Sequence, residues 1–72
     1  MNYVLISAEK INNKIHLICD TATIIFDIYE NDSSESIIED MIKENLIITN
    51  IKFLILAINI FLKPNNRIYK IF

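Results

Sequence analysis

The sequence predicts an α+β fold: a small, mostly antiparallel sheet in the order β-β-β-α-β-β, with one amphipathic helix packed on one face. Three observations carry this expectation. Two strand-like segments flank an Asn-Asn pair near the N-terminus. A serine-to-glutamate capping signal then opens a stretch of helical periodicity. A Pro-Asn-Asn turn finally precedes a last alternating segment.

Tyr3 to Ile11 and Lys14 to Asp20 read as a hairpin about Asn12-Asn13. Asparagine tolerates the positive φ that a tight two-residue turn requires. This register pairs Glu9 with His16 and Ala8 with Leu17. It places Val4, Ile6, Ala8, Ile15, Leu17 and Cys19 on one face, leaving Ser7, Glu9, His16, Asp20, Leu5 and Ile18 on the other. One face is apolar and one mixed, as a half-buried sheet needs. Thr23 to Glu30 reads as the third strand, with Ile24, Phe26 and Ile28 facing one way and Ile25, Asp27 and Tyr29 the other.

Asn31-Asp32-Ser33-Ser34 breaks that strand. Ser36-Ile37-Ile38-Glu39 matches a capping box, in which hydroxyl and carboxylate each satisfy an orphan N–H. Ile37, Ile38, Met41, Ile42 and Leu46 recur at helical spacing, which predicts a helix over 36–45.

The apolar stretch Ile47 to Leu62 admits three conformations. A strand would be apolar on both sides, as a central buried strand is. A helix would gather Asn45, Thr49, Lys52, Asn59 and Lys63 into one polar stripe, interrupted by Leu56. A membrane span from Leu46 to Leu62 would reach only about 25 Å against a hydrocarbon core of about 30 Å, and would bury Lys52. The isoleucine content and the following turn favour the strand. Pro64-Asn65-Asn66 supplies that turn, and Arg67 to Phe72 alternates as a final strand.

The chain has 72 residues and is expected to form a single domain over 1–72. Absent glycine excludes the Gly-rich phosphate loops, whose backbone must approach the ligand closely. One cysteine excludes a disulfide framework and a multi-cysteine zinc site. No cofactor is expected. The N-terminal Met1-Asn2-Tyr3-Val4 lacks the basic start and apolar run of a signal peptide, so a cytoplasmic location is the expectation.

The net charge of −2 conceals a strong asymmetry. Residues 20–44 hold eight acids against Lys43, whereas residues 45–72 hold Lys52, Lys63, Arg67 and Lys70 and no acid. Apolar residues make up 53% of the chain, 18 of them isoleucine. A domain this small buries only about 60% of its unfolded surface, which points to association with its own copy, with a partner or with a membrane.

Catalytic arrangements fit poorly. His16 and Cys19 lie an odd number of residues apart, so a strand sends them to opposite faces. Ser7, His16 and Asp20 share a face but lack a pocket and oxyanion donors. Glu39, Asp40 and Glu44 read as a solvated helix face, with Glu39 and Lys43 paired at i, i+4. No enzyme activity and no metal site are expected.

The expected function is a small protein-interaction module, homo-oligomeric, with a protein partner that presents a basic surface. Asp32, Glu35, Glu39, Asp40 and Glu44 form the candidate acidic face. Leu54, Leu56, Ile58 and Ile60 form the candidate self-association strand. A tiny glycine-free chain of this kind suits a mobile element or phage. It would serve there as an inhibitor of a nucleic-acid-handling complex such as a defence nuclease. The alternative is a small nucleic-acid-binding regulator using Lys63, Arg67, Tyr69 and Lys70, where aromatics stack bases and cations hold phosphates. Three cations release few counterions, so nucleic acid and membrane are the less favoured partners.

Overall fold

The computed structural model describes residues 2–63 and 70–71. The fold is α+β, as the sequence predicts: a four-stranded antiparallel sheet with two helices. Strand β1 (Asn2–Tyr3) leads into β2 (Leu5–Ile11), β3 (Lys14–Cys19) and β4 (Thr23–Asp27). Helix α1 (Ser34–Lys43), strand β5 (Ile47–Ile48), helix α2 (Ile51–Phe61) and strand β6 (Lys70–Ile71) follow. The main sheet runs β4-β3-β2-β6, and β1 pairs in parallel with β5 beside it.

The hairpin forms about Asn12-Asn13, with Asn12 at φ 56°. Pairing follows the expected register from Ile11↔Lys14 back to Ser7↔Ile18. Between Leu5 and Ser7 the register then shifts, and Leu5 stands opposite Cys19. This bulge corrects the expected facing of the first strand. One extra residue inverts the alternation beyond it, so Leu5 enters the core while Val4 and Ile6 face water. The shifted ladder is held by the Asp20 N–H, which donates to the Val4 carbonyl at 3.0 Å. The Val4 N–H in turn donates to Asp20 Oδ1 at 3.1 Å.

Helix α1 starts one turn earlier than the sequence suggests. Its N-cap is Ser33, not Ser36. The Ser36 N–H donates to Ser33 Oγ at 3.2 Å and the Ser33 N–H donates to Ser36 Oγ at 2.9 Å. Two serines three residues apart thus form the reciprocal box assigned from sequence to Ser36 and Glu39. The helix ends in a Schellman motif, with Leu46 N–H donating to Met41 O and Asn45 N–H to Ile42 O. Asn45 takes φ 60°, the left-handed position that glycine usually fills and asparagine tolerates.

The expected fourth strand over 47–62 is mostly helix. Only Ile47–Ile48 is extended, and Ile51–Phe61 forms α2, which gives the fold two helices where one was expected. Leu54, Ala57, Ile58 and Phe61 occupy i, i+3, i+4 and i+7 and are all buried. The physical reason lies in what covers the sheet. The inner face of β2, β3 and β4 presents Ala8, Ile15, Leu17 and Ile24, all buried, and α1 is only ten residues long. A second helix completes that layer, whereas a strand apolar on both sides would leave one of them in water. Among the described residues no helix is long and apolar enough to cross a membrane.

Two contacts seat α2. The Asn50 side chain makes no cap bond to its own helix. Instead Asn50 Oδ1 accepts from the Leu5 N–H and Asn50 Nδ2 donates to the Leu5 carbonyl, each at 2.9 Å. At the other end Lys10 Nζ donates to the Phe61 carbonyl at 3.2 Å, a cation at the negative end of the helix. Removing both Asn50 bonds with Asn50→Ala leaves the partly buried Leu5 peptide group unpaired. That change should lower stability by about 1–3 kcal/mol in urea unfolding; an unshifted midpoint would show the clamp to be dispensable.

Candidate interaction surface

Strand β4 ends one side of the sheet, and α1 returns across the inner face beside it. The Tyr29–Asp32 turn joins them, with the Asp32 N–H donating to the Tyr29 carbonyl at 3.0 Å and the Tyr29 N–H to Asp32 Oδ2 at 2.8 Å. Strand and helix stand far enough apart to leave an open cleft of about 330 Å³. Its apolar lining comes from Ile24, Ile25, Phe26, Ile37, Met41 and Leu46. Asp27, Asp32, Asp40 and Glu44 bring four carboxylates to it, and Tyr29 adds an aromatic ring. Among the described residues no lysine or arginine lines this cleft.

The four acids differ in their local partners. Asp27 pairs with Lys14 across β3 and β4 at 2.6 Å, and that bond holds the Lys14 ammonium pKa above its usual value. Both members are exposed, so the pair contributes little to stability. Asp32 accepts from the Tyr29 N–H and from Ser36 Oγ at 3.4 Å. Asp40 and Glu44 stand one helical turn apart on the exposed side of α1. Like charges at that spacing repel.

Of the acidic residues singled out in the sequence, Asp32, Asp40 and Glu44 converge on the cleft. Glu35 and Glu39 are exposed on α1 outside its lining. Asp27 and Tyr29 were missed as cleft residues. The signal for them was their place in the acidic segment, obscured by their assignment to a strand face.

The candidate self-association residues do not share a surface. Helical geometry buries Leu54 and Ile58 in the protomer core, leaves Leu56 half exposed and half-buries Ile60. A different apolar groove lies between α1 and the start of α2. Ile38, Ile42, Ile47 and Ile51 line it together with buried Met41, Ile48 and Leu54.

The remaining candidates separate. Glu9 and His16 are cross-strand neighbours, with Lys70 beyond Glu9 in the next strand. Cys19 lies buried on the inner face. Among the described residues no three histidine, cysteine or carboxylate side chains gather as a metal site. Lys63 and Lys70 are exposed, while Arg67, Tyr69 and the Pro64-Asn65-Asn66 turn lie outside the described residues.

Comparison with protein-family models, curated proteins and solved structures finds no match to this chain.

Burial raises the Cys19 thiol pKa, with the neighbouring Asp20 charge adding to the effect. The thiolate is the reactive form. A thiol-specific reagent at neutral pH should therefore label native Cys19 far more slowly than the urea-unfolded chain, and faster as pH rises. Equal rates in the two states would contradict the buried placement.

Proposed function

We propose that this chain is a small non-enzymatic interaction module that receives a basic surface of a protein partner in the cleft between β4 and α1. One observation carries the reading: Asp32, Asp40 and Glu44 flank an apolar hollow that no described lysine or arginine lines, while Asp27 at its rim is already paired with Lys14. A lysine or arginine side chain suits such a place, because its aliphatic stem packs on Phe26, Met41 and Leu46 while its head meets Asp40 and Glu44. Complementary charge speeds encounter and selects the partner. Proteins that handle nucleic acid present basic surfaces of this kind. An inhibitor competing with phosphates there, for a defence nuclease or a similar complex, is the biological role we propose.

Binding of a short lysine-rich peptide tests the reading. The affinity should fall as salt rises, and the double substitution Asp40→Asn with Glu44→Gln should weaken it about tenfold, equivalent to about 1.4 kcal/mol. An affinity indifferent to both would refute acidic docking.

Self-association is the second reading, supported by the groove between α1 and α2. Its rim residues Ile42, Ile47 and Ile51 are 59%, 42% and 40% exposed, and covering them would remove apolar surface from water. Light scattering at micromolar concentration should give the mass of a dimer, reduced to a monomer by Ile42→Glu with Ile51→Glu. A monomeric mass for the unsubstituted chain would retire this reading.

A further inference from the structure

The cleft has one wall that charge alone does not explain, the outer edge of β4. The Cys19 N–H donates to the Ala22 carbonyl at 2.9 Å, and the Ile28 N–H donates to the Asn13 carbonyl at 2.7 Å. These bonds bracket the β3–β4 ladder, whose pairs run from Ile18↔Thr23 to Lys14↔Asp27, and they set its phase. In an antiparallel ladder, alternate residues turn both peptide groups toward the partner strand. Ile24 and Phe26 share the phase of Ala22 and Ile28, so they face β3. Thr23, Ile25 and Asp27 consequently present their N–H and C=O groups to the open edge. Among the described residues no strand lies beyond β4.

Edge strands are usually protected by proline, lysine or a bulge. Strand β4 reads Thr-Ile-Ile-Phe-Asp, and no register shift interrupts its pairing with β3. Only Asp27, at its end, brings a charge. Helix α1 stands across the cleft from this edge without filling the space. A free strand edge faced by a helix is the geometry in which an extended peptide adds a strand and seats alternate side chains in the groove.

We propose that the open edge of β4 takes up an extended segment of the partner as an added strand, with lysine or arginine at every second position. The inference rests on the acidic-cleft reading and specifies how the partner is held. Side chains of one phase point inward beside Ile24 and Phe26, where Asp40 and Glu44 select cations. Side chains of the other phase lie on the outer face beside Ile25, which is 54% exposed, and an apolar β-branched residue fits there. Charge chooses the segment, and backbone pairing fixes its register.

Three synthetic peptides of alternating lysine and valine test this: an unmodified parent, one N-methylated at the valines and one N-methylated at the lysines. The methylated pair carry equal charge and differ in which backbone donors remain. Strand addition predicts that one methylated peptide binds like the parent while the other loses about tenfold or more, since several hydrogen bonds are removed at once. Loss on valine methylation reads as antiparallel addition and loss on lysine methylation as parallel, because the phase of bonding residues differs between the two ladders. The parent should also slow hydrogen exchange at the Ile25 amide, leaving Ile24 and Phe26, already bonded to β3, nearly unchanged.

Equal binding by all three peptides, with affinity still dependent on Asp40 and Glu44, would overturn strand addition and leave acidic docking intact. Failure of the parent to bind at low salt would remove both.

Discussion

Leu5 is the point on which the architecture turns. Its peptide group stands opposite Cys19 in the main sheet and is held on its other side by the Asn50 carboxamide. A side-chain amide carries the same donor and acceptor as a peptide unit, so Asn50 substitutes for a strand residue where the extended chain stops and α2 begins. Thr49 continues the pattern, its N–H donating to the Tyr3 carbonyl at 2.8 Å. This junction ties the N-terminus to the start of α2. It also needs the bulge before Ser7, because an unshifted register would point Leu5 to water instead of into the core.

With α2 anchored there, α2 packs over β2, and α1 stands across the cleft from β4. Two short helices cover one face of a four-stranded sheet, but they do not seal its β4 side. The cleft between β4 and α1 is the consequence, and the acids of residues 20–44 are the side chains that the chain supplies to it. An unsealed sheet edge and a concentration of one charge sign therefore coincide for separate reasons: the first is a matter of helix length and placement, the second of local sequence. Their coincidence makes the cleft a better candidate for recognition than either feature alone.

Legibility in the sequence followed the range of the interactions. The Asn12-Asn13 turn, the pairing of Glu9 with His16 and the shared face of Ile24, Phe26 and Ile28 depend on neighbours close in sequence, and all were readable. The cap was legible in kind but misplaced by one turn, since Ser33 and Ser36 offer the same three-residue spacing as Ser36 and Glu39. The facing of Val4 to Ile6 was not readable, because alternation alone carries no mark of the bulge. Half of the cleft was visible as acidic residues on α1. Asp27 and Tyr29 joined it only when β4 was placed against that helix.

By itself the sequence determined the α+β class, the first hairpin and its register, the third strand, the existence of α1 and the concentration of acid in the middle of the chain. These rest on periodicity, turn chemistry and charge, which act over a few residues. Tertiary structure alone decided the conformation of residues 51–61, where the isoleucine content and the following turn favour a strand and the chain forms a helix. The apolar inner face of the sheet overrides that local preference, because a helix presenting Leu54, Ala57, Ile58 and Phe61 covers it and a strand does not. The same packing removed Leu54 and Ile58 from any association surface and opened the cleft beside β4.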